Sequence, residues 1–201
     1  MSRVRASKQE LKRQRDALAR FRRYLPTLQL KKRQLQMEVR RVEAQEREAL
    51  TALESATVEL EPWIALFAGD LRVEDHLRVS ELLLGEANIA GIGVPVFEGV
   101  AFVRTPPDLY ATPPFLDDAV AAVEALLRLR LQVRTLARQR ELLEAELRIT
   151  SQRVNLFEKV KIPEAERDIR TIRIALGDQQ AAEVVRAKIA KGKTAEQGFA
   201  S

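Results

Sequence analysis

The sequence predicts a mainly α-helical fold: a long antiparallel two-helix coiled coil formed by the N- and C-terminal helices, with a small central β-hairpin/short-helix insert. Three observations predict it. Apolar residues recur at alternating spacings of three and four along both ends of the chain, which is the a/d seam of a coiled coil. That period fails over residues 62–114, where glycine, proline and alternating β-branched residues gather. Aromatic residues make up 5% of the 201 positions while Arg, Leu, Ala and Glu dominate, a balance that favours long helices over a large globular core.

The first helix is expected over residues 1–61. One seven-residue series runs Phe21, Leu28, Leu35, Val42, Ala49, Ala56; the other runs Val4, Leu11, Leu18, Leu25, Lys32, Val39, Glu46, Leu53, Leu60. Burying one of these leucines stabilises by roughly 1.5–3 kcal/mol, so the stripe needs a partner. Two seam positions, Lys32 and Glu46, are charged. Pro26 interrupts the segment, but the apolar phase continues unchanged across it, which favours one kinked helix over two separate ones.

Residues 62–114 are read as short helices, a β-hairpin and a Pro-rich loop. Glu61-Pro62-Trp63 and Gly69-Asp70 are plausible breaks. Leu77, Val79 and Leu82–Leu84 look extended, and Ile92, Val94, Val96, Val100 and Phe102 alternate across glycines, the signature of a small hairpin or meander. Thr105 to Pro114 holds four prolines and reads as loop.

The second helix is expected over 115–192, with Asp117 and Asp118 near its N-terminus, where acids suit the helix dipole. Its series are Leu126, Val133, Arg140, Leu147, Val154 and Leu129, Leu136, Leu143, Thr150, Phe157. The pattern then jumps by one position and resumes as Ile162, Ile169, Leu176 with Ala165 and Ile172. Pro163 sits at the jump, so a kink is expected there. Residues 193–201 read as a flexible tail. Each helix of some 60 residues would be roughly 90 Å long.

Antiparallel packing is the simplest arrangement. With Leu60 opposite about position 118, Lys32 comes near Glu146 and Glu46 near Arg134, and these seam charges are expected to pair. The same register leaves residues beyond about 176 unpartnered, as a single basic overhanging helix.

Charge is segregated. Residues 1–33 carry twelve Lys/Arg and two acids, residues 34–118 six bases and sixteen acids, and residues 119–201 sixteen bases and eleven acids. Basic ends suit nucleic acid, an anionic membrane or an acidic protein partner. Only Phe21 and Tyr24 are available for base stacking in the first block, so a solvated helix face or an acidic protein partner is favoured over a nucleic-acid-binding arm.

Catalytic chemistry finds little support. The absence of cysteine excludes a disulfide scaffold, thiol catalysis and Cys-ligated zinc, and His76 is a single imidazole that reads as a surface residue. Gly192-Lys193-Thr194 resembles the end of a phosphate loop, but Ala187 stands where the earlier glycine is needed and no strand precedes it. Gly91-Ile92-Gly93 is not a dinucleotide fingerprint, and Glu46/Glu48 and Asp117/Asp118 lie on amphipathic helices without a cleft. No catalytic, cofactor-binding or metal site is expected. No run approaches 18 apolar residues, and the basic N-terminus lacks the apolar stretch of a secretory signal.

Three stretches, in order, resemble one family. Arg153-Val154-Asn155-Leu156-Phe157-Glu158 followed by Ile162-Pro163 is similar to the Arg-Val-Asn-x-Leu-Glu…Ile-Pro signature of the D subunit of V-type and A-type rotary ATPases. Asn88-Ile89-Ala90-Gly91-Ile92 with Pro95-Val96-Phe97-Glu98 is similar to that family's Asn-Val-Ala-Gly-Val…Pro-x-Phe segment. Leu28 to Leu35 resembles its Leu-Leu-Lys-x-Lys-x-x-Leu run. Phe157 stands where the family has Leu, Leu156 where it has Ala, and Tyr24-Leu25-Pro26 replaces a Gly-His, which suggests a divergent bacterial branch.

The resemblance implies the central-stalk rotor of a V-type ATPase or ATP synthase, non-catalytic itself and placed on the cytoplasmic side of the membrane through its complex. Implied partners are the catalytic A and B subunits, the small F subunit of the stalk and the funnel-shaped coupling subunit of the membrane sector, with ATP bound by the A/B ring and no nucleic acid involved. On this reading Arg3, Arg5, Lys8, Lys12, Arg167, Arg170, Arg173 and Lys188 are the candidate ring contacts. A coiled-coil adaptor or basic nucleic-acid-binding arm is the competing reading.

Overall fold

The computed structural model describes residues 5–67, 73–106 and 115–198. Helix α1 runs Lys8–Phe67, a short α2 Val73–His76, strands β1 and β2 Leu77–Ile89 and Ile92–Arg104, α3 Leu116–Leu156 and α4 Ile162–Gly198, with a π-helical turn Phe157–Lys161 between the last two. Ser7 caps α1, its Oγ accepting from the Glu10 N–H at 3.1 Å; Ser-x-x-Glu is the capping pattern at work. The chain divides into two compact units, residues 31–149 and residues 1–30 with 150–201.

In the unit of residues 31–149, the α1 seam is buried where it was expected to be. Leu35, Val39 and Val42 meet Leu143, with Leu136 and Leu147 beside them. Leu126, Leu129 and Val133 are partly buried further along the same α3 stripe. A third contributor completes this core: Val94 is 1% exposed within it, with Ala87, Ile89, Ala90 and Ile92 of the hairpin end packed alongside. The base of the hairpin makes a second small core, Leu77 against Leu116 and Val120. Two polar contacts hold the hairpin to α3. Gln139 Nε2 donates to the Pro95 carbonyl at 2.6 Å, and Arg104 grips Glu124 with two bonds of 2.7 Å. Those hydrogen bonds hold the Glu124 carboxyl below the ordinary carboxylate range.

The hairpin is a two-stranded antiparallel sheet in which Ile89 faces Ile92. Its two-residue turn, Ala90-Gly91, has φ of 54° and 83°, and the Asn88 side-chain oxygen accepts from the Gly91 N–H at 2.9 Å. Positive φ at both central residues is the turn that matches strand twist. Gly91 adopts it freely; Ala90 does so at a steric cost of roughly 1–2 kcal/mol.

Of the two charged seam positions of α1, Glu46 pairs, with a different partner from the one expected, and Lys32 makes no ion pair among the described residues. Glu146 binds Lys31 at 2.9 Å rather than Lys32, and Glu46 binds Arg140 at 3.0 Å rather than Arg134. Arg140 is itself the charged seam position of α3, so it faces the charged seam position Glu46 of α1. The Arg140 Nε–H makes no aligned hydrogen bond despite the short distance, so the contact is chiefly coulombic. An isolated charge there would sit inside an apolar stripe and cost several kcal/mol, which is reason enough for the long arginine to reach along the helix.

In the unit formed by the two ends, Phe21 stacks on Phe157 with ring centroids 5.3 Å apart, and Arg22 meets Glu166 at 2.6 Å. Leu11, Leu18, Leu25 and Leu28 of α1 are partly buried, and Val154, Ala165, Ile169 and Ile172 are buried on the other helices. The one-position jump of the seam is a π-turn. Phe157 and Ile162 are consecutive seam residues five apart instead of four, and the Ile162 N–H bonds to the Phe157 carbonyl, the i→i+5 bond of a π-turn. One extra residue is thereby absorbed inside the helix, and the apolar stripe returns to the same face. The expected kink at Pro163 thus takes the form of this turn just before it.

Two helix ends differ from expectation, whereas α1 passes Pro26 as one helix, as expected, with that proline on the exposed side. α1 continues through Glu61-Pro62-Trp63 to Phe67. α4 extends to Gly198, into the stretch read as a tail. Pro107 to Pro114 of the expected loop, and Gly69-Asp70, lie outside the described residues.

Two outcomes follow. Ala90→Asn should raise stability by about 1 kcal/mol, because asparagine tolerates positive φ; urea denaturation midpoints at unchanged m-value measure it. Pro163→Ala should leave the π-turn in place, since the seam spacing demands it. Deleting the exposed Val160 in that background should convert the segment to uninterrupted α-helix, visible as i→i+4 bonding in a crystal structure or in amide exchange.

Candidate protein-interaction surface

The unit that unites the two chain ends carries nineteen Lys/Arg against nine Asp/Glu. Its seam positions are apolar, so the bases are driven to the outer faces of the helices. They line two grooves. In one, Arg5, Arg13, Arg20, Lys161 and Arg167 stand with Glu10, Glu164 and Asp168. In the other, Arg15, Arg22, Arg170 and Arg173 flank an apolar floor of Leu18, Ile169 and Ile174. Internal ion pairs take up part of this charge: Lys161 with Glu164 at 3.1 Å, Arg13 with Glu10 at 3.7 Å. Arg167 donates its Nε–H to the Pro163 carbonyl at 3.3 Å, which fixes the guanidinium stem beside the π-turn.

The candidate contact residues are therefore divided. Arg5 and Arg167 share the first groove, whereas Arg170 and Arg173 belong to the second. Lys8 and Lys12 are exposed on the first turns of α1, and Lys188 is exposed on α4. Arg3 lies outside the described residues. Sequence reasoning missed Arg13, Arg15, Arg20, Arg22 and Lys161 as groove members. The signal was present in the basic run, but which of its residues face a common groove depends on the helix rotation set by the seam.

Beyond Leu176, α4 continues with little cover. From Gly177 to Gly192 every residue except Ala182 is exposed, including Val184 at 67% and Ile189 at 55%. Charges and apolar side chains are thus presented together on a single helix, a surface suited to contact with another protein. Gly192 lies within this helix, so the Gly-Lys-Thr run has no strand–loop–helix setting for a phosphate. Among the described residues no group of three or more His, Cys, Asp or Glu is placed to hold a metal ion. None of the described helices is long and apolar enough to cross a membrane.

The three motif stretches fall at structural joints. Arg153, Val154, Asn155 and Glu158 precede or open the π-turn that Ile162 and Pro163 close, with Val154 buried and Arg153, Asn155 and Glu158 exposed. Asn88–Ile92 forms the hairpin turn. Lys31 and Leu35 of the third supply a cross-helix ion pair and a fully buried core residue.

Comparison with known proteins points the same way. Residues 10–192 match the family described as the D subunit of ATP synthase. The V-type ATP synthase D subunit of Borreliella burgdorferi is 41% identical over 191 residues, 95% of both chains. Its counterpart in Chlamydia caviae is 32% identical over 195 residues, 96% of this chain and 94% of that one. That of Chlamydia trachomatis serovar L2 is 35% identical over 173 residues, 85% of each. With the family match covering most of its length, this chain belongs to the family of ATP synthase D subunits.

Proposed function

We propose that the chain is the central-stalk rotor of a V-type ATPase or ATP synthase, transmitting torque between a catalytic A/B ring and the membrane ion-translocating rotor. The observation that carries the proposal is the pairing of a mainly apolar helix–helix seam within each unit with outer faces built from exposed charges. The seam gives a stiff two-helix element. The outer faces give many modest contacts, each worth roughly 0.2–1 kcal/mol. A shaft that must pass successive subunits of a ring needs such contacts, since a few deeply buried anchors would hold it in one position. On this reading ATP is bound by the partner subunits and not by the shaft. Its further partners are the small F subunit of the stalk and the funnel-shaped coupling subunit, and it sits on the membrane's cytoplasmic face through the complex.

The basic grooves favour one competing reading, a coiled-coil adaptor or nucleic-acid-binding arm. Copurification separates the two. A rotor brings down two large ATPase subunits and a small soluble partner, with nothing sensitive to nuclease; a nucleic-acid arm binds DNA or RNA with affinity falling steeply as salt rises.

Charge reversal tests the contact residues. Arg167→Glu, Arg170→Glu and Arg173→Glu together should weaken ring assembly by on the order of tenfold to a hundredfold. Arg170→Glu with Arg173→Glu should account for most of the loss if the second groove faces the ring. Titration of the A/B ring with the variants measures it, and unchanged assembly and coupling would remove these residues from the contact surface.

A further inference from the structure

The two hairpin strands have equal length and unequal surroundings. β2 is half-buried through most of its length, with Val94 fully buried and Pro95 held by Gln139. In β1 every residue from Arg78 to Leu84 is exposed. Successive strand residues point to opposite faces, so neither face of this stretch is covered. The exposed side chains include Val79, Leu82, Leu83 and Leu84, each 38–48% accessible.

The edge is open as well. Among the described residues the sheet has two strands, which leaves the outer N–H and C=O groups of β1 without a neighbouring strand. Exposed apolar edges invite pairing, and proteins commonly defend them with lysine or proline. β1 contains neither. The ladder skips Ser80 on β1 and Glu98 on β2, and between these irregularities Glu81–Leu83 run in regular register. Glu98 lies back over Gly85, where a Cβ would collide with its carboxylate. Glu81, Glu86 and Glu98 make no ion pair among the described residues, whereas Arg104 is already occupied by Glu124.

We propose that the outer edge of β1, Val79–Leu84, accepts an extended strand from another member of the assembly, one with apolar side chains for the leucines and Lys or Arg for Glu81 and Glu86. Charge disfavours a second copy of this chain. Antiparallel pairing of two β1 edges through the leucines would add a second Glu81 and Glu86 to a short edge whose own two acids make no ion pair among the described residues. A basic strand converts the same two acids into attractions while its main chain satisfies the free edge. The inference deepens the proposed function, since it rests on the chain working inside a larger assembly.

Amide exchange on the full-length chain, alone and in the assembly captured through a tag on it, tests the idea. Amides of Val79–Leu84 should exchange at least tenfold more slowly in the assembly. Glu81→Lys with Glu86→Lys, both exposed and checked for folding by circular dichroism, should abolish that protection and release one partner protein while the large ATPase subunits stay bound. Unchanged exchange in an assembly that contains the ATPase subunits overturns this inference and leaves the rotor reading standing. An isolated chain that is already dimeric with β1 protected overturns it in favour of self-association. If no ATPase subunits are captured, both readings fall.

Discussion

Everything in this molecule depends on keeping one apolar stripe turned toward a partner over a very long helix. A buried leucine of that stripe is worth roughly 1.5–3 kcal/mol, several times an exposed ion pair, so the stripe dictates where every other side chain points. The π-turn shows how strict the demand is. The chain carries one residue more between Phe157 and Ile162 than the seam allows. Without correction, that residue would rotate Ala165, Ile169 and Ile172 away from the buried face by about 100°. Widening a single turn to an i→i+5 bond absorbs it, and all three remain buried. The same turn accommodates Pro163, whose missing N–H and bulky ring are hard to place inside regular α-helix.

Charge placement follows from the same demand. At one point where charge interrupts the seam it is matched across it, Glu46 by Arg140. Elsewhere charge is expelled to the outer faces, and its sign then depends on position along the chain. Residues 31–149 carry fifteen Lys/Arg against twenty Asp/Glu, and the unit of the two ends is strongly basic. A helix pair with a purely structural role gains nothing from such segregation, since mixed i, i+4 pairs would stabilise each helix better.

Much of this was legible in the sequence, for a physical reason. Heptad spacing is a local code, so the seam from Leu11 to Leu60 and from Leu126 to Leu176, and even the one-residue jump, could be read directly. The outcome of the jump could not, because a proline kink and a π-turn both satisfy the same residue count. Cross-helix partners were missed by one residue at Lys31 for Lys32 and by six at Arg140 for Arg134. Opposed positions fix only which turns meet, and a long side chain chooses among several neighbours. Pro62 gave a false helix end, since a proline near a helix terminus removes one hydrogen bond without forbidding continuation. The hairpin's alternation was visible, yet its packing against α3 through Thr135 and Gln139 was not. Those polar residues lie off the seam, and nothing local marks them as buried.

The hairpin explains why α3 departs from a simple amphipathic helix. A helix in a two-stranded coiled coil has one buried face and three exposed quarters. α3 also buries Val120 and Gln139 off the seam, where Leu77 of β1 packs on it and the Pro95 carbonyl of β2 accepts from it. Two contacts at opposite ends of the strand, Arg104 with Glu124 and Gln139 with the Pro95 carbonyl, fix β2 along the helix. The middle of β1, Arg78–Leu84, is carried outward by the ladder, while Leu77, Ala87 and Ile89 at its ends join the two cores. An element that spends its packing on one strand and leaves the other bare is poorly built for stability by itself: the apolar side chains of Val79–Leu84 gain little from folding while exposed. Covering them with a strand from another protein, as proposed, would turn that exposed apolar surface into buried area.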